Sequence, residues 1–80
     1  MKGESGMLQL SAETLEELRR YKKQYLEIVA FYKANGYTDD KAEYYAAHPK
    51  VLAYKLLLAQ GLGPEEVVKY FRELNIEEGA

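Results

Sequence analysis

One stretch of the sequence, Gly61-Leu62-Gly63-Pro64, restricts most strongly how this chain can fold. Gly61 can take the left-handed conformation that ends many helices, and Leu62 is then spaced to pack back on Leu57. Gly63 suits the N-cap of a following helix and Pro64 its first position, where the missing N–H of proline costs little. The stretch therefore predicts two helices joined by a tight turn. No strand pattern competes with helix elsewhere in the chain.

The first long helix is predicted to begin after Ser11, whose hydroxyl can cap it, and to end at Asn35-Gly36. Between these points, apolar and tyrosine side chains recur at helical spacing, and charged side chains occupy the opposite arc. We expect the apolar arc to face the core. Its main members are Leu18, Tyr21, Tyr25, Ile28 and Tyr32.

The middle of the chain is predicted to be helical on both sides of Pro49. Thr38-Asp39-Asp40 suits a helix start, and a proline inside a helix costs about 3 kcal/mol. We therefore predict a short helix over about 39–47 and another that begins at Pro49, although one kinked helix is left open. Apolar residues surround the second of these, so we expect it to be buried on several sides. They are Val51, Leu52, Tyr54, Leu56, Leu57 and Leu58.

These elements predict an all-α fold, a compact bundle of three principal helices plus one short helix, with the central helix beginning at Pro49. At 80 residues there is room for one domain, expected over 7–76, which excludes an enzyme with separate cofactor and substrate lobes. We expect residues 1–6 to form a flexible tail and residues 77–80 to be a frayed C-terminus. Cysteine is absent, so no disulfide can stabilise the fold.

The localisation expected from the sequence is cytoplasmic, without membrane contact. No apolar run approaches the roughly 20 residues that a membrane span needs. Residues 1–6 lack the apolar stretch of a signal peptide.

Few residues are suited to catalysis or metal binding. The chain has no cysteine, a single histidine, His48, and none of the nucleotide-binding or zinc-protease motifs. A zinc site needs three or four ligands, which one histidine and scattered carboxylates do not suggest. We therefore expect no enzyme activity, no cofactor and no metal.

Eight tyrosines are the unusual feature of the composition. Tyrosine offers a large contact area and a polar tip at low entropic cost, which suits a binding surface, but it also suits the boundary between core and solvent. The leading hypothesis is a non-catalytic interaction module that contacts a protein partner or a second copy of itself. The candidate contact residues are Phe31, Tyr45 and Tyr70. A further hypothesis is a pocket bounded by Tyr25, Tyr32 and Tyr54.

The alternative function is a helix-turn-helix DNA-binding domain built from the helices on either side of Gly61. Against it stand a net charge of −2 and the acidic Glu65 and Glu66 at the leading end of the second helix. Ion pairs at i,i+4 spacing, such as Glu16 with Arg20, offer another explanation of the basic run on the first helix. The basic residues that would meet DNA are Arg19, Arg20, Lys23, Lys69 and Arg72.

Two resemblances bear on these hypotheses. Residues 34–52, which hold Gly36-Tyr37-Thr38 and Pro49-Lys50-Val51, together with residues 61–67, resemble the helical DNA-binding portion of phage small terminase subunits. That resemblance implies helix-turn-helix DNA binding. Readable caps on every helix, surfaces rich in Glu, Lys and Arg, and the lack of cysteine and tryptophan resemble computationally designed helical mini-proteins. This second resemblance implies a scaffold or binding function.

Overall fold

In a computed structural model, which describes residues 10–76, the chain folds into four helices and no strand. The helix α3 contacts each of the other three, so the predicted all-α bundle with one short helix is confirmed for this part of the chain. The expected tail at 1–6 and frayed end at 77–80 lie outside the described residues. The helices are α1 (Ala12–Ala34), α2 (Asp39–Tyr45), α3 (Ala47–Ala59) and α4 (Pro64–Glu73).

Both ends of α1 are closed as the sequence predicts. The Ser11 hydroxyl accepts a hydrogen bond from the backbone N–H of Thr14 at 3.1 Å. At the other end, Gly36 has a φ of +91°, and the Tyr37 N–H donates to the Tyr32 carbonyl at 3.0 Å. This is the Schellman ending, which satisfies the free carbonyls of the last turn and reverses the chain direction.

The region around Pro49 forms two helices, with Ala46 as their shared boundary. However, α3 begins at Ala47, two residues earlier than the predicted start at Pro49. Pro49 is therefore the third helical residue, and it is buried. The first N–H groups of a helix have no carbonyl partner within it, so proline is tolerated anywhere in the first turn. A proline therefore marks the first turn of a helix more reliably than its first residue.

The turn between α3 and α4 also follows the prediction. Gly61 has a φ of +102°, and the Leu62 N–H donates to the Leu57 carbonyl at 3.4 Å. The Gly63 N–H donates to Glu66 Oε1 at 2.7 Å, so the carboxylate of the first turn reaches back to the start of α4. A short connection whose backbone N–H groups are hydrogen-bonded thus joins α3 to α4.

The core lies where α1, α3 and α4 meet. Its buried members are Leu18, Ala53, Leu57, Val67 and Phe71. The short helix α2 packs beside α1, and the small side chains Ala42 and Ala46 are fully buried at its base. Of the four helices, none is long and apolar enough to cross a membrane.

The helix α3 contacts the other three helices, so it is covered on several sides as expected, but one of its faces is open. Val51 and Leu58, which lie two turns apart on one face of α3, are exposed. A chain of this length has too few elements to surround a central helix completely. The central helix therefore keeps an apolar face in solvent.

Candidate binding surfaces

Five aromatic rings meet at the C-terminal end of α1, in the turn that follows it and on α2, and we call them the aromatic cluster. They are Phe31, Tyr32, Tyr37, Tyr44 and Tyr45. The Tyr32 ring is the hub: it stacks on Tyr45 with ring centroids 4.8 Å apart, and it meets Tyr37 and Phe31 edge-on at 5.1 Å and 5.3 Å. Edge-on and offset contacts of this kind are the favourable arrangements for aromatic rings.

The aromatic cluster is a surface feature, separate from the buried core. Tyr32 is half-buried, whereas the four rings around it are exposed, to 62% for Phe31 and 75% for Tyr44. Tyr44 joins through Tyr45, with their ring centroids 5.4 Å apart. Mutual contact therefore holds these rings in place while much of their area remains in water.

The local sequence explains how the cluster assembles. The ending at Gly36 brings Tyr37 back onto Tyr32, as the hydrophobic contact of a Schellman ending usually does. The helix α2 begins almost at once, with Thr38 as its N-cap. A salt bridge of 3.0 Å between Lys33 and Asp39 links the two helices across the turn.

The predicted contact residues do not lie together. Phe31 and Tyr45 are both in the aromatic cluster, but Tyr70 lies on α4, half-buried against the core. Burial raises the pKa of Tyr70. Sequence reasoning did not select Tyr37 or Tyr44. The Asn35-Gly36 ending was the signal that could have placed Tyr37 on Tyr32, whereas nothing in the sequence singles out Tyr44.

The second surface feature is an open groove of about 430 Å³ whose lining comes mainly from α1, α3 and α4. Three aromatic rings form its floor: Phe71 meets both Tyr25 and Tyr54 edge-on, with ring centroids 5.5 Å apart in each pair. Burial raises the pKa of both tyrosines. Two aliphatic side chains, Leu26 and Val68, also line the groove and are exposed to 40% and 39%.

Charged side chains line the same groove. The Lys22 ammonium lies 5.7 Å from the centre of the Phe71 ring, and the Lys50 ammonium lies 5.6 Å from that of Tyr25. Arg72 adds a third cation, and Glu43 is the one acidic residue of the lining. The side chains that line the groove thus carry more positive than negative charge, although the net charge of the chain is −2.

The predicted pocket bounded by three tyrosines is wrong. Tyr25 and Tyr54 line the groove, but Tyr32 lies at the far end of α1 in the aromatic cluster. Seven positions separate Tyr25 from Tyr32, which is two helical turns or about 10 Å along α1. The shared helix face that suggested a common pocket instead serves two separate surfaces.

The basic residues of the DNA-binding hypothesis occupy several environments. Lys69 and Arg72 border a shallow depression on the exposed side of α4, which Glu65 also lines. On α1, the Arg19 Nε donates to the Asn75 carbonyl at 3.2 Å.

Arg20 pairs with Glu17 at 3.7 Å, and this partner lies one residue after the expected Glu16. Lys23 is exposed on α1. Both Arg20 and its partner are substantially exposed, so this ion pair adds little stability.

Side chains that could hold a metal ion are not assembled in residues 10–76. No group of three histidine, aspartate or glutamate side chains comes close enough there to hold a metal ion. His48 is exposed in the first turn of α3. The Ser11 hydroxyl is occupied as a cap, since it also donates to Thr14 Oγ1 at 2.9 Å.

Comparison of the chain with known protein families, with curated proteins and with solved structures found no match.

Proposed function

We propose that this chain is a non-catalytic interaction module that contacts a protein surface through the aromatic cluster. The observation that carries the proposal is the exposure of four rings held together around Tyr32. Contiguous exposed apolar area on a small protein commonly marks an interaction site. The surface that it contacts belongs either to another protein or to a second copy of this chain.

The contacts within the cluster favour binding. A ring that already rests on its neighbours loses less rotational freedom when a partner covers it. Tyrosine hydroxyls at the edge of such a patch can also donate hydrogen bonds to the partner. The cluster therefore combines large apolar contact area with a low entropic cost.

We also propose that the chain is an engineered, de novo type of scaffold. The supporting observation is the regularity of its helix ends: Ser11 and Thr38 cap α1 and α2, and Gly36 and Gly61 give α1 and α3 the same type of ending. Such consistency between local sequence and fold is a design criterion.

Binding through the aromatic cluster is tested with two double variants, each of which replaces two exposed apolar side chains. The first, Phe31→Ser with Tyr44→Ser, removes the most exposed rings of the cluster. The matched control, Val51→Ser with Leu58→Ser, alters the exposed face of α3. Sedimentation equilibrium over a range of concentrations measures self-association, and pull-down from a cell extract detects a protein partner.

Self-association or partner capture that is lost in the cluster variant and kept in the α3 variant supports the proposal. Equal loss in both variants means that binding reflects general surface hydrophobicity, which contradicts it. A wild-type chain that neither self-associates nor captures a partner would also contradict it. Far-UV circular dichroism of each variant verifies that the helices are intact.

A second candidate function is duplex DNA binding, and the geometry of α3 and α4 favours it. The two helices are joined by a tight turn, and Lys69 and Arg72 lie on the exposed side of the second. A mobility-shift assay at low salt tests this function. DNA binding requires a shift that weakens steeply with salt and with Lys69→Ala or Arg72→Ala, and absence of any shift rules it out.

A further inference from the structure

We infer that the groove between α1, α3 and α4 binds an acidic peptide segment, which places one apolar side chain on the ring floor and carboxylates at Lys50 and Arg72. The groove shares no residue with the aromatic cluster. The inference is therefore independent of binding through the aromatic cluster, whereas the DNA-binding candidate shares Arg72 with the groove.

The aromatic floor of the groove is the reason to expect an apolar side chain in the bound peptide. Phe71 is almost fully buried, while Tyr25 and Tyr54 flank it edge-on and are half-buried. Leu26 and Val68 extend this apolar surface into solvent. An aromatic or long aliphatic side chain in the groove would lie against this apolar surface, and a buried apolar anchor of this kind commonly dominates binding.

The cations of the groove are the reason to expect carboxylates in the bound peptide. The Lys22 ammonium already forms hydrogen bonds within the protein, since it donates to the Arg72 and Leu74 carbonyls at 2.8 Å and 2.7 Å. Lys50 and Arg72 form no salt bridge with any residue of the described chain. The ring beneath Lys50 attracts the ammonium without neutralising its charge. Two cations therefore remain for carboxylates of a ligand.

The shape and charge of the groove favour a peptide over other anionic ligands. The groove is open to solvent, so a small molecule would stay largely wet, whereas binding sites for small molecules usually bury most of the ligand. A peptide gains further contacts beyond the groove. Glu43 on one side and Glu65 on the flank of α4 would repel a continuous phosphate backbone, but a peptide can place its carboxylates away from them.

The probe is a short end-blocked peptide with one tryptophan between glutamates. Because the chain contains no tryptophan, the anisotropy of tryptophan fluorescence reports on the peptide alone. Two further peptides separate the contributions of charge and of apolar contact to the affinity. One replaces the glutamates with lysines, and the other replaces the tryptophan with alanine and is measured by competition. We expect the first acidic peptide to bind at low salt and both altered peptides to bind much more weakly.

The decisive comparison uses the same substitution at two sites. Lys50→Glu reverses a charge in the groove, whereas Lys69→Glu makes the same change on α4 outside it. We expect Lys50→Glu to weaken the peptide about tenfold or more, and Lys69→Glu to change the affinity less than about threefold. Glu43→Gln removes the one acidic group of the groove and should tighten binding.

Several results would overturn the inference: no binding at low salt, equal weakening by both charge reversals, or equal binding of the lysine peptide. Equally strong competition by the alanine peptide would show that the ring floor is not used, and this also contradicts it. Duplex DNA is also tested as a competitor of the peptide. If DNA displaces the peptide from the wild-type chain but not from the Lys50→Glu variant, the groove binds phosphate, and the peptide inference is wrong. Thermal unfolding checks each variant, and Lys50→Gln and Arg72→Gln replace Lys50→Glu if that chain does not fold.

Discussion

The Lys22 ammonium on α1 donates to the Leu74 carbonyl, just beyond α4, at 2.7 Å. The same ammonium donates to the Arg72 carbonyl at 2.8 Å. The last carbonyls of a helix have no partner within it, and here a lysine from another helix supplies the donors. The helix α4 ends at Glu73, so these two bonds satisfy one carbonyl in its last turn and one just beyond its end.

Replacing Lys22 should destabilise the fold through these carbonyls. Lys22→Met keeps the length of the side chain but removes the donors, and we expect the free energy of unfolding to fall by about 1–3 kcal/mol. The control Lys23→Met, at an exposed neighbouring position, should change it by less than about 0.5 kcal/mol. Urea unfolding followed by circular dichroism measures both, and equal effects would show that the bonds from Lys22 add no stability.

The hub of the aromatic cluster should matter for stability, while its outermost ring should not. Tyr32→Ala removes a half-buried ring that contacts three others, and we expect a loss of about 2–4 kcal/mol. Tyr44→Ala removes an exposed ring with one ring contact, to Tyr45, and should cost less than about 1 kcal/mol. Thermal unfolding of both variants tests this order, and a larger shift for Tyr44→Ala would contradict the geometry of the cluster.

Substitution of the two glycines between α3 and α4 should change the stability of the fold in different ways. Gly61 has a φ of +102°, which a residue with a side chain rarely adopts, so Gly61→Ala should cost about 1 kcal/mol or more. Gly63 is an N-cap with a φ of −77°, so Gly63→Ser should be neutral or stabilising. For a domain of this size, 1 kcal/mol corresponds to a change in Tm of about 4–8 °C. Equal changes in Tm would mean that the positive φ is not required.

Stability should fall when the pH rises above about 10, the ordinary pKa of tyrosine. Burial raises the pKa of Tyr25, Tyr54 and Tyr70, and the hydrogen bond that Tyr21 donates to Glu17 raises that of Tyr21. In this range the unfolded chain loses phenolic protons that the folded chain retains. The unfolded state is therefore favoured as the pH rises through the folded-state values.

Lys22 acts in the opposite direction, but it is a single group. Burial lowers its pKa, so below its ordinary value of 10.5 the unfolded chain binds the proton more strongly, and its contribution to stability rises with pH. Urea unfolding at pH 8 and at successive values above 10 measures the sum. We expect Tyr25→Phe with Tyr54→Phe to reduce the alkaline loss, and an unchanged loss would show that these two phenols do not cause it.

Much of the local structure was predictable because it depends on neighbouring residues. Ser11, Thr38 and the Gly63-Pro64 pair start helices, and Gly36 and Gly61 end them, through contacts that span only a few positions. The start of α3 was misplaced by two residues because proline is tolerated throughout the first turn of a helix.

The candidate binding surfaces were only partly predictable. Phe31 and Tyr45 were identified as contact residues, but their assembly around Tyr32 requires α2 to pack on α1. Periodicity placed Tyr25 and Tyr32 on one face of α1 without showing that different helices cover its two ends. The exposed faces of α3 and α4 depend in the same way on which neighbours are present.

The sequence by itself therefore determined the four helices, the N-caps of α1 and α2 and the tight turn between α3 and α4, because these depend on interactions between residues a few positions apart. Only the tertiary structure decided that Lys22 donates to the carbonyls at the end of α4, that Tyr70 packs against the core, and that Tyr25 and Tyr54 meet at Phe71. Each of these contacts joins residues distant in the chain. Their occurrence depends on how the helices pack, and a local sequence pattern carries no information about that packing.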